Sequence, residues 1–351
     1  MRVLVDGYWW YDGPQSNRMV MLEIVRRWRV DFPDDELVIA APRYPRSRSE
    51  ALPPQDVEVI DTHLPLQPMI NAFELPIIAR RQSADTILAF NFASLSKRGV
   101  VFIFDVLFQS NPEWFTPLER AYFAGIPMLA SRAKSVITIS ASERRRIIER
   151  NPSLTRVVNS GLALATSLTE AEPTKPDLRV TSGSFVMCVG RFNVRKNLDM
   201  TVRAMLQSGL ISLEFPLVLL GEVAGAPADI TELMAAAPKG SILIVHRLTE
   251  GEIRWLYENC RFSICLSLDE GFGLPAVEAA HFGAPVIASD IPVFRENLGA
   301  WGTFVDPNDI EAISAAARRI VHGPAHRVAY SEKHSWSSVC HVIRNELQND
   351  R

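Results

Sequence analysis

At 351 residues, with 47% hydrophobic and 22% charged residues, the chain is long enough for two domains with separate cores and too apolar to be disordered. Its net charge of −3 leaves no basic field for coating nucleic acid. Cys188, Cys260, Cys265 and Cys340 form no CxxC pair, no zinc spacing and no dense disulfide framework, which fits a reducing compartment.

The first residues, MRVLVDGYWW, interrupt their apolar run with Asp6 and so do not read as a secretory signal. No stretch supplies the ~18 unbroken apolar residues of a membrane span, and the expected location is the cytoplasm. Short apolar runs alternate with helix-period segments along the chain: RVLVD (2–6), ELVIAA (36–41), VEVID (57–61), TILAF (86–90), VVFIFD (100–105) and SVITIS (135–140). The rhythm resumes with SFVMCVG (184–190), PLVLLG (216–221), SILIVH (241–246), FSICLSL (262–268) and PVIASD (285–290). Alternation of this kind predicts an α/β fold of two Rossmann-like, doubly wound domains with parallel sheets.

After the first strand, DGYWWYDGPQSNR lacks GxGxxG, which argues against a nicotinamide cofactor. Gly13 and Pro14 predict a turn, and Ser16 or Asn17 a cap for a helix that buries Val20, Ile24 and Trp28. The loop reads either as a helix start or as a loop facing an interdomain cleft. Trp9, Trp10 and Tyr11 read as core packing or as a platform for a sugar face. Arg144, Arg145, Arg146 and Arg150 read first as a solvated helix face, with contact to anionic lipid as the alternative. Residues 166–183 are rich in Thr, Ser and Pro and predict a linker or irregular crossover. His322, His326, His334 and His341 are scattered without a ligand set, so no metal is expected.

Two segments of the second half carry chemistry. In VGRFNVRKNLDM (189–200) a strand ends near Arg191 and a helix begins at Asn197, so Arg191 and Lys196 project from a strand-to-helix loop, suited to a diphosphate. In DEGFGLPAVEAAHFG (269–283) Glu270 follows a strand, Gly271 and Gly273 allow close backbone approach, and Pro275 suits a helix start that Gly283 can close. Glu278 falls early in that helix. Its first amides form an anion site. Carboxylates beside such a site suit sugar or ribose hydroxyls better than phosphate.

VGRFNVRKN, DEGFGLPAVEAAHFGAPVIASDIPVFRE and WGTFVDPND resemble the carboxyl half of the retaining glycosyltransferase family 4, whose fold is called GT-B. RVLVDG, FDVLFQSNPEWF, AKSVITISASERRRI and VVNSGL resemble its amino half. The resemblance implies that Glu270 holds the transferred sugar and Glu278 the ribose, with Arg191 and Lys196 on the donor diphosphate. Backbone amides of Gly271, Phe272, Gly273 and Leu274 would complete the donor site, and Arg247 and Leu248 would seat the base, with His246 replacing a usual glycine. It implies an acceptor-side domain over 1–165 contributing Gly13 and Ser16, a linker at 166–183, a donor domain over 184–334, and a helix at 335–351 packing on the first domain.

One departure stands out. The family commonly has His-Asp after a strand of its first domain, and this chain has Phe104 and Asp105. Phenylalanine cannot bond a hydroxyl, so either Asp105 takes the polar role, or the donor is a 6-deoxyhexose such as rhamnose or fucose, or the site is impaired. The expected function is metal-independent, cofactor-free, retaining transfer of a sugar, mannose or a 6-deoxyhexose, from a nucleotide diphosphate. The acceptor would be a saccharide or glycolipid of cell-surface polysaccharide synthesis, in the cytoplasm or at the inner face of the membrane. A catalytically silent GT-B subunit binding nucleotide or a partner protein is the alternative, and a nucleotide-sugar epimerase a third reading.

Overall fold

A computed structural model describes residues 1–43, 54–96, 99–222, 231–323 and 333–349. It divides into two units: Met1–Pro112 with Thr116–Ala165 and His334–Arg351, and Glu113–Phe115 with Thr166–Lys333. Each is a doubly wound parallel α/β unit, the Rossmann-like pattern of the GT-B fold class.

The first unit holds β1 (Arg2–Asp6), β2 (Glu36–Pro42), β3 (Glu58–Thr62), β4 (Thr86–Phe90), β5 (Gly99–Phe102), β6 (Ser135–Thr138) and β7 (Val157–Asn159). They pair in the order β3-β2-β1-β4-β5-β6-β7, all parallel, with Val3 opposite Leu37 on one side and Thr86 on the other. The order reverses between β1 and β4, which leaves a crevice at the carboxyl ends of those strands. The helix Gln15–Asp31 buries Val20, Ile24 and Trp28 as its spacing predicts. Its start differs from the expectation: Pro14 is the cap residue and no side chain caps the helix, so Ser16 and Asn17 lie inside the first turn. Proline's fixed φ sets the helix going before either side chain can serve.

The helix Trp336–Gln348 belongs to this first unit and buries Trp336, Val339, Cys340, Ile343 and Leu347. Trp336 Nε1 donates to the Leu164 carbonyl at 2.7 Å. Arg344 forks onto Asp35 at 2.8 and 3.2 Å, and Arg156 onto Glu346 at 2.8 and 3.1 Å.

The second unit holds β8 (Val186–Val189), β9 (Leu217–Leu220), β10 (Ile242–Val245), β11 (Phe262–Cys265), β12 (Val286–Ser289) and β13 (Gly302–Val305). Their order is β10-β9-β8-β11-β12-β13, again all parallel, with the reversal between β8 and β11. Strand alternation splits its core in two: Val186, Leu217, Leu219 and Ile264 pack under the helices Leu198–Ser208 and Ile310–His322, while Met187, Val218 and Leu220 face Leu256, Tyr257 and Ala279.

Segment 166–183 is fastened to this unit. Arg254 donates to the carbonyls of Thr169 and Ala171 at 3.0 and 2.8 Å, and Gly183 N donates to Asn259 O at 2.7 Å. Backbone bonding, which composition does not report, holds it there. Among the described residues, no helix is long and apolar enough to cross a membrane.

Candidate functional site

β8 is followed by Gly190, whose φ of +149° suits glycine and whose bare α-carbon lets Lys196 cross over it. A Cβ there would meet Lys196 Cε at 2.8 Å. The chain then makes a 3-10 turn, Val194–Lys196, capped by the Asn193 side chain, and passes through Asn197 in the left-handed region at φ +53°. Asn197 is held by its amide, which donates to Pro307 O at 2.9 Å. A non-glycine in that region is kept only where its surroundings over-determine it.

Lys196 reaches Glu270, Nζ to Oε1 at 2.7 Å, with side chains only 12% and 9% exposed. The second cation on Glu270 is Arg195, which pairs with Oε2. Arg191, expected with Lys196 on the donor diphosphate, is exposed, one residue beyond Gly190. The turn explains the double pairing, because it brings consecutive residues 195 and 196 round to one carboxylate. Burial pushes the Glu270 carboxyl up, but Arg195, Lys196 and a hydrogen bond from Ser267 outweigh it and hold it down at about 2. Glu270 is therefore ionised throughout the physiological range.

Glu270 leads into the helix Leu274–His281, whose cap residue Gly273 has φ +85° and whose first turn contains Pro275. Gly271, Phe272 and Gly273 are buried, and Leu274 is half-buried. Asn297 ties this turn down by donating to Phe272 O at 2.7 Å. Pro275 has no N–H and the amides of Ala276 and Val277 turn back to Gly273 O at 3.1 and 3.3 Å, so the helix start contributes its dipole beside Lys196 rather than a row of open amides. A small pocket here is lined by Lys196, Ser267, Glu270, Gly273 and Phe294, together with Cys188 and Cys265. Burial pushes those thiols up to about 12 and about 11, which makes them inert as nucleophiles.

Glu278 accepts a hydrogen bond from Tyr257 Oη at 2.8 Å. Burial raises its carboxyl to about 7, with Glu250 adding to the rise and Tyr257 and Lys196 opposing it. The two glutamates are thus electrostatically distinct, one fixed as an anion and one poised near neutrality. Arg247 is exposed and pairs with Glu222 at 3.3 Å, Leu248 is half-buried against the core, and His246 Nδ1 lies 3.0 Å from Gly221 O.

Gly13, Ser16, Phe104 and Asp105 lie in the first unit. Gly13 and Ser16 are exposed, and Gly13 has φ +141° above the Trp9 ring. Phe104 is 8% exposed inside an aromatic cluster, with ring centres 5.7 Å from Trp9, 6.2 Å from Phe90 and 5.2 Å from Phe102. Asp105 is half-buried and accepts from Leu107 N at 3.2 Å. Its loop is pinned by buried Glu143, which accepts from Val106 N at 2.7 Å and pairs with Arg146. Arg144, Arg145 and Arg150 are exposed on the same helix, Ala141–Arg150.

Sequence reasoning missed Arg195, Ser267, Tyr257, Asn297 and Asp6. Asp6 ends β1 fully buried and accepts from Gln67 at 2.9 Å, Asn71 at 2.7 Å and the amides of Tyr8 and Phe90. Burial nevertheless raises its carboxyl against those hydrogen bonds. Its position at a strand's carboxyl end was the available signal. Among the described residues no cluster of three metal-ligating side chains exists, and His326 lies outside those residues.

Residues 172–335 match the family model described as glycosyl transferases group 1. The chain is 28% identical over 233 residues to the O-antigen chain mannosyltransferase B of Escherichia coli, covering 62% of this chain and 60% of that protein. It is 28% identical over 173 residues to the GDP-mannose:cellobiosyl-diphosphopolyprenol alpha-mannosyltransferase of Komagataeibacter xylinus, covering 46% and 44%. These matches span less than two thirds of either relative. Its fold is similar to that of sucrose-phosphate synthase from Thermosynechococcus elongatus, with a TM-score of 0.68 at 15% identity over 99% of this chain and 94% of that one. A glycosyltransferase from Rickettsia africae ESF-5 gives a TM-score of 0.62 at 14% identity over 99% and 93%.

Proposed function

We propose, from the match of residues 172–335 to the model of glycosyl transferases group 1, that the chain transfers mannose from a nucleotide diphosphate donor with retention at the anomeric carbon. The acceptor is a saccharide or lipid-linked saccharide of cell-surface polysaccharide synthesis, met in the cytoplasm or at the inner face of the membrane. Relatives named as mannosyltransferases support mannose over a 6-deoxyhexose, and one whose name includes a diphosphopolyprenol supports a lipid-linked acceptor.

The observation that carries the reading is Lys196 meeting Glu270 beside the start of the helix Leu274–His281. When the glycosidic bond to the diphosphate breaks, negative charge grows on the leaving oxygen. Besides Arg195, which is paired with Glu270, that loop supplies Lys196 and Arg191 as cations for the diphosphate, the helix start adds its dipole, and preorganised charge of this kind lowers the barrier without a metal. Glu270, held as an anion, accepts hydroxyls of the transferred sugar, and Glu278 those of the ribose. Arg247 and Leu248 flank the base.

The test is transfer of radiolabelled mannose from GDP-mannose to an endogenous lipid-linked oligosaccharide fraction, with GDP-fucose as the competing donor. Acceptor-dependent release of GDP from GDP-mannose supports the proposal; preference for GDP-fucose contradicts the choice of sugar. Phe104, packed among Trp9, Phe90 and Phe102, favours a second reading, a silent nucleotide-binding subunit. That reading requires nucleotide binding with no transfer to any acceptor.

A further inference from the structure

Glu270 carries a cation on each carboxylate oxygen, Lys196 on Oε1 and Arg195 on Oε2. The two cations are held differently. Arg195 is stitched to the loop between β11 and Glu270: its carbonyl accepts from Leu268 N at 2.8 Å, and its Nη1 also donates to Asp269 O at 3.3 Å. Lys196 has its backbone amide turned back into its own loop, on Asn193, and reaches Glu270 only through its ammonium. A guanidinium is a planar fork suited to a fixed pair, whereas an ammonium on a four-carbon stem is a mobile point charge.

We propose that Arg195 is a positioning residue, the permanent counter-ion of Glu270, and that Lys196 is the exchangeable one, released to the donor diphosphate when the donor binds. This rests on the functional reading above. A diphosphate brings negative charge to a crevice whose ammonium is already occupied by Glu270. If Lys196 were the sole cation on Glu270, handing it over would leave a buried carboxylate without a counter-charge, which is costly. With Arg195 fixed on Oε2, Glu270 stays ionised and oriented. Oε1, vacated by Lys196, becomes the acceptor for a sugar hydroxyl. One side-chain movement thus delivers a phosphate ligand and opens a sugar contact.

Calorimetric titration of GDP and of UDP into wild type, Arg195→Ala, Glu270→Gln and the double variant tests this. Arg195→Ala should weaken the better-bound nucleotide roughly tenfold, the scale of one charge-assisted hydrogen bond, because Lys196 becomes trapped on Glu270. In the Glu270→Gln background the same substitution should change affinity less than about twofold. Arg195→Lys, which keeps the charge and serves if the alanine variant does not fold, should show the same dependence on Glu270 with smaller amplitude. Equal weakening in both backgrounds, or none in either, would overturn the assignment alone, since a merely structural stitch does not depend on the glutamate's charge. A wild type that bound neither nucleotide would overturn the functional reading and the assignment with it.

Discussion

Glu278, proposed above to hold the donor's ribose, is the glutamate of the proposed site that titrates near neutral pH. Burial has raised its carboxyl from 4.5 to about 7, with Tyr257, Glu250 and Lys196 the polar groups around it. A raised folded value means that its contribution to stability is fully present below about pH 4.5 and is lost as pH rises through about 7. Wild type should therefore lose stability between pH 5 and pH 8 relative to Glu278→Gln, read as the difference in denaturant midpoint across that range. Binding has the opposite sign. A ribose hydroxyl is accepted best by the ionised form, so nucleoside diphosphate affinity should increase as pH rises through about 7 in wild type and stay flat in Glu278→Gln. An affinity as pH-dependent in the variant as in wild type would remove Glu278 from the account. Glu270, held down at about 2, contributes nothing to that limb.

Among the elements, the loop from β8 into the helix Leu198–Ser208 is the one on which the site depends. Gly190 at φ +149° makes room for the Lys196 stem, which a Cβ there would push aside, and Gly221 packs so closely under the Gly190 carbonyl that it has no space for a side chain. Gly190→Ala should cost ~1–3 kcal/mol in stability through its backbone alone. It should also weaken nucleotide diphosphate binding roughly tenfold by displacing the Lys196 ammonium, the scale of one charge-assisted contact. Equilibrium unfolding and titration on the same sample separate the two effects. Unchanged affinity in a folded Gly190→Ala protein would show that the Lys196 trajectory does not matter. Lys196 and the two glutamates were legible in the sequence because glycines and Pro275 punctuate their loops. Arg195 was not, because its aim follows from the 3-10 turn and from Asn197 in the left-handed region, which asparagine tolerates but does not announce. Tyr257 was hidden for a different reason: on the helix Glu250–Asn259 it reads as one more buried aromatic, and only the fold brings its hydroxyl to Glu278.

For the whole molecule, strand alternation revealed both parallel sheets, while β7 and β13 escaped notice because they are short and only partly buried. Segment 166–183 looked like a linker in composition and is held by backbone carbonyls on Arg254, an arrangement that residue types do not encode. The carboxyl-terminal helix is part of the first unit's core. Trp336→Ala should destabilise that unit by roughly 3–5 kcal/mol, the range for a buried aromatic, while nucleotide affinity in the second unit stays within about twofold of wild type. Differential scanning calorimetry with and without GDP checks this, because the ligand should raise only the transition of the second unit.

The most direct test of the account is the turnover of GDP-mannose by Lys196→Ala beside its binding of GDP. The account predicts turnover down by ~10² to 10³ with GDP binding weakened and the melting profile retained. Turnover within a few-fold of wild type, in a folded Lys196→Ala protein, would contradict it.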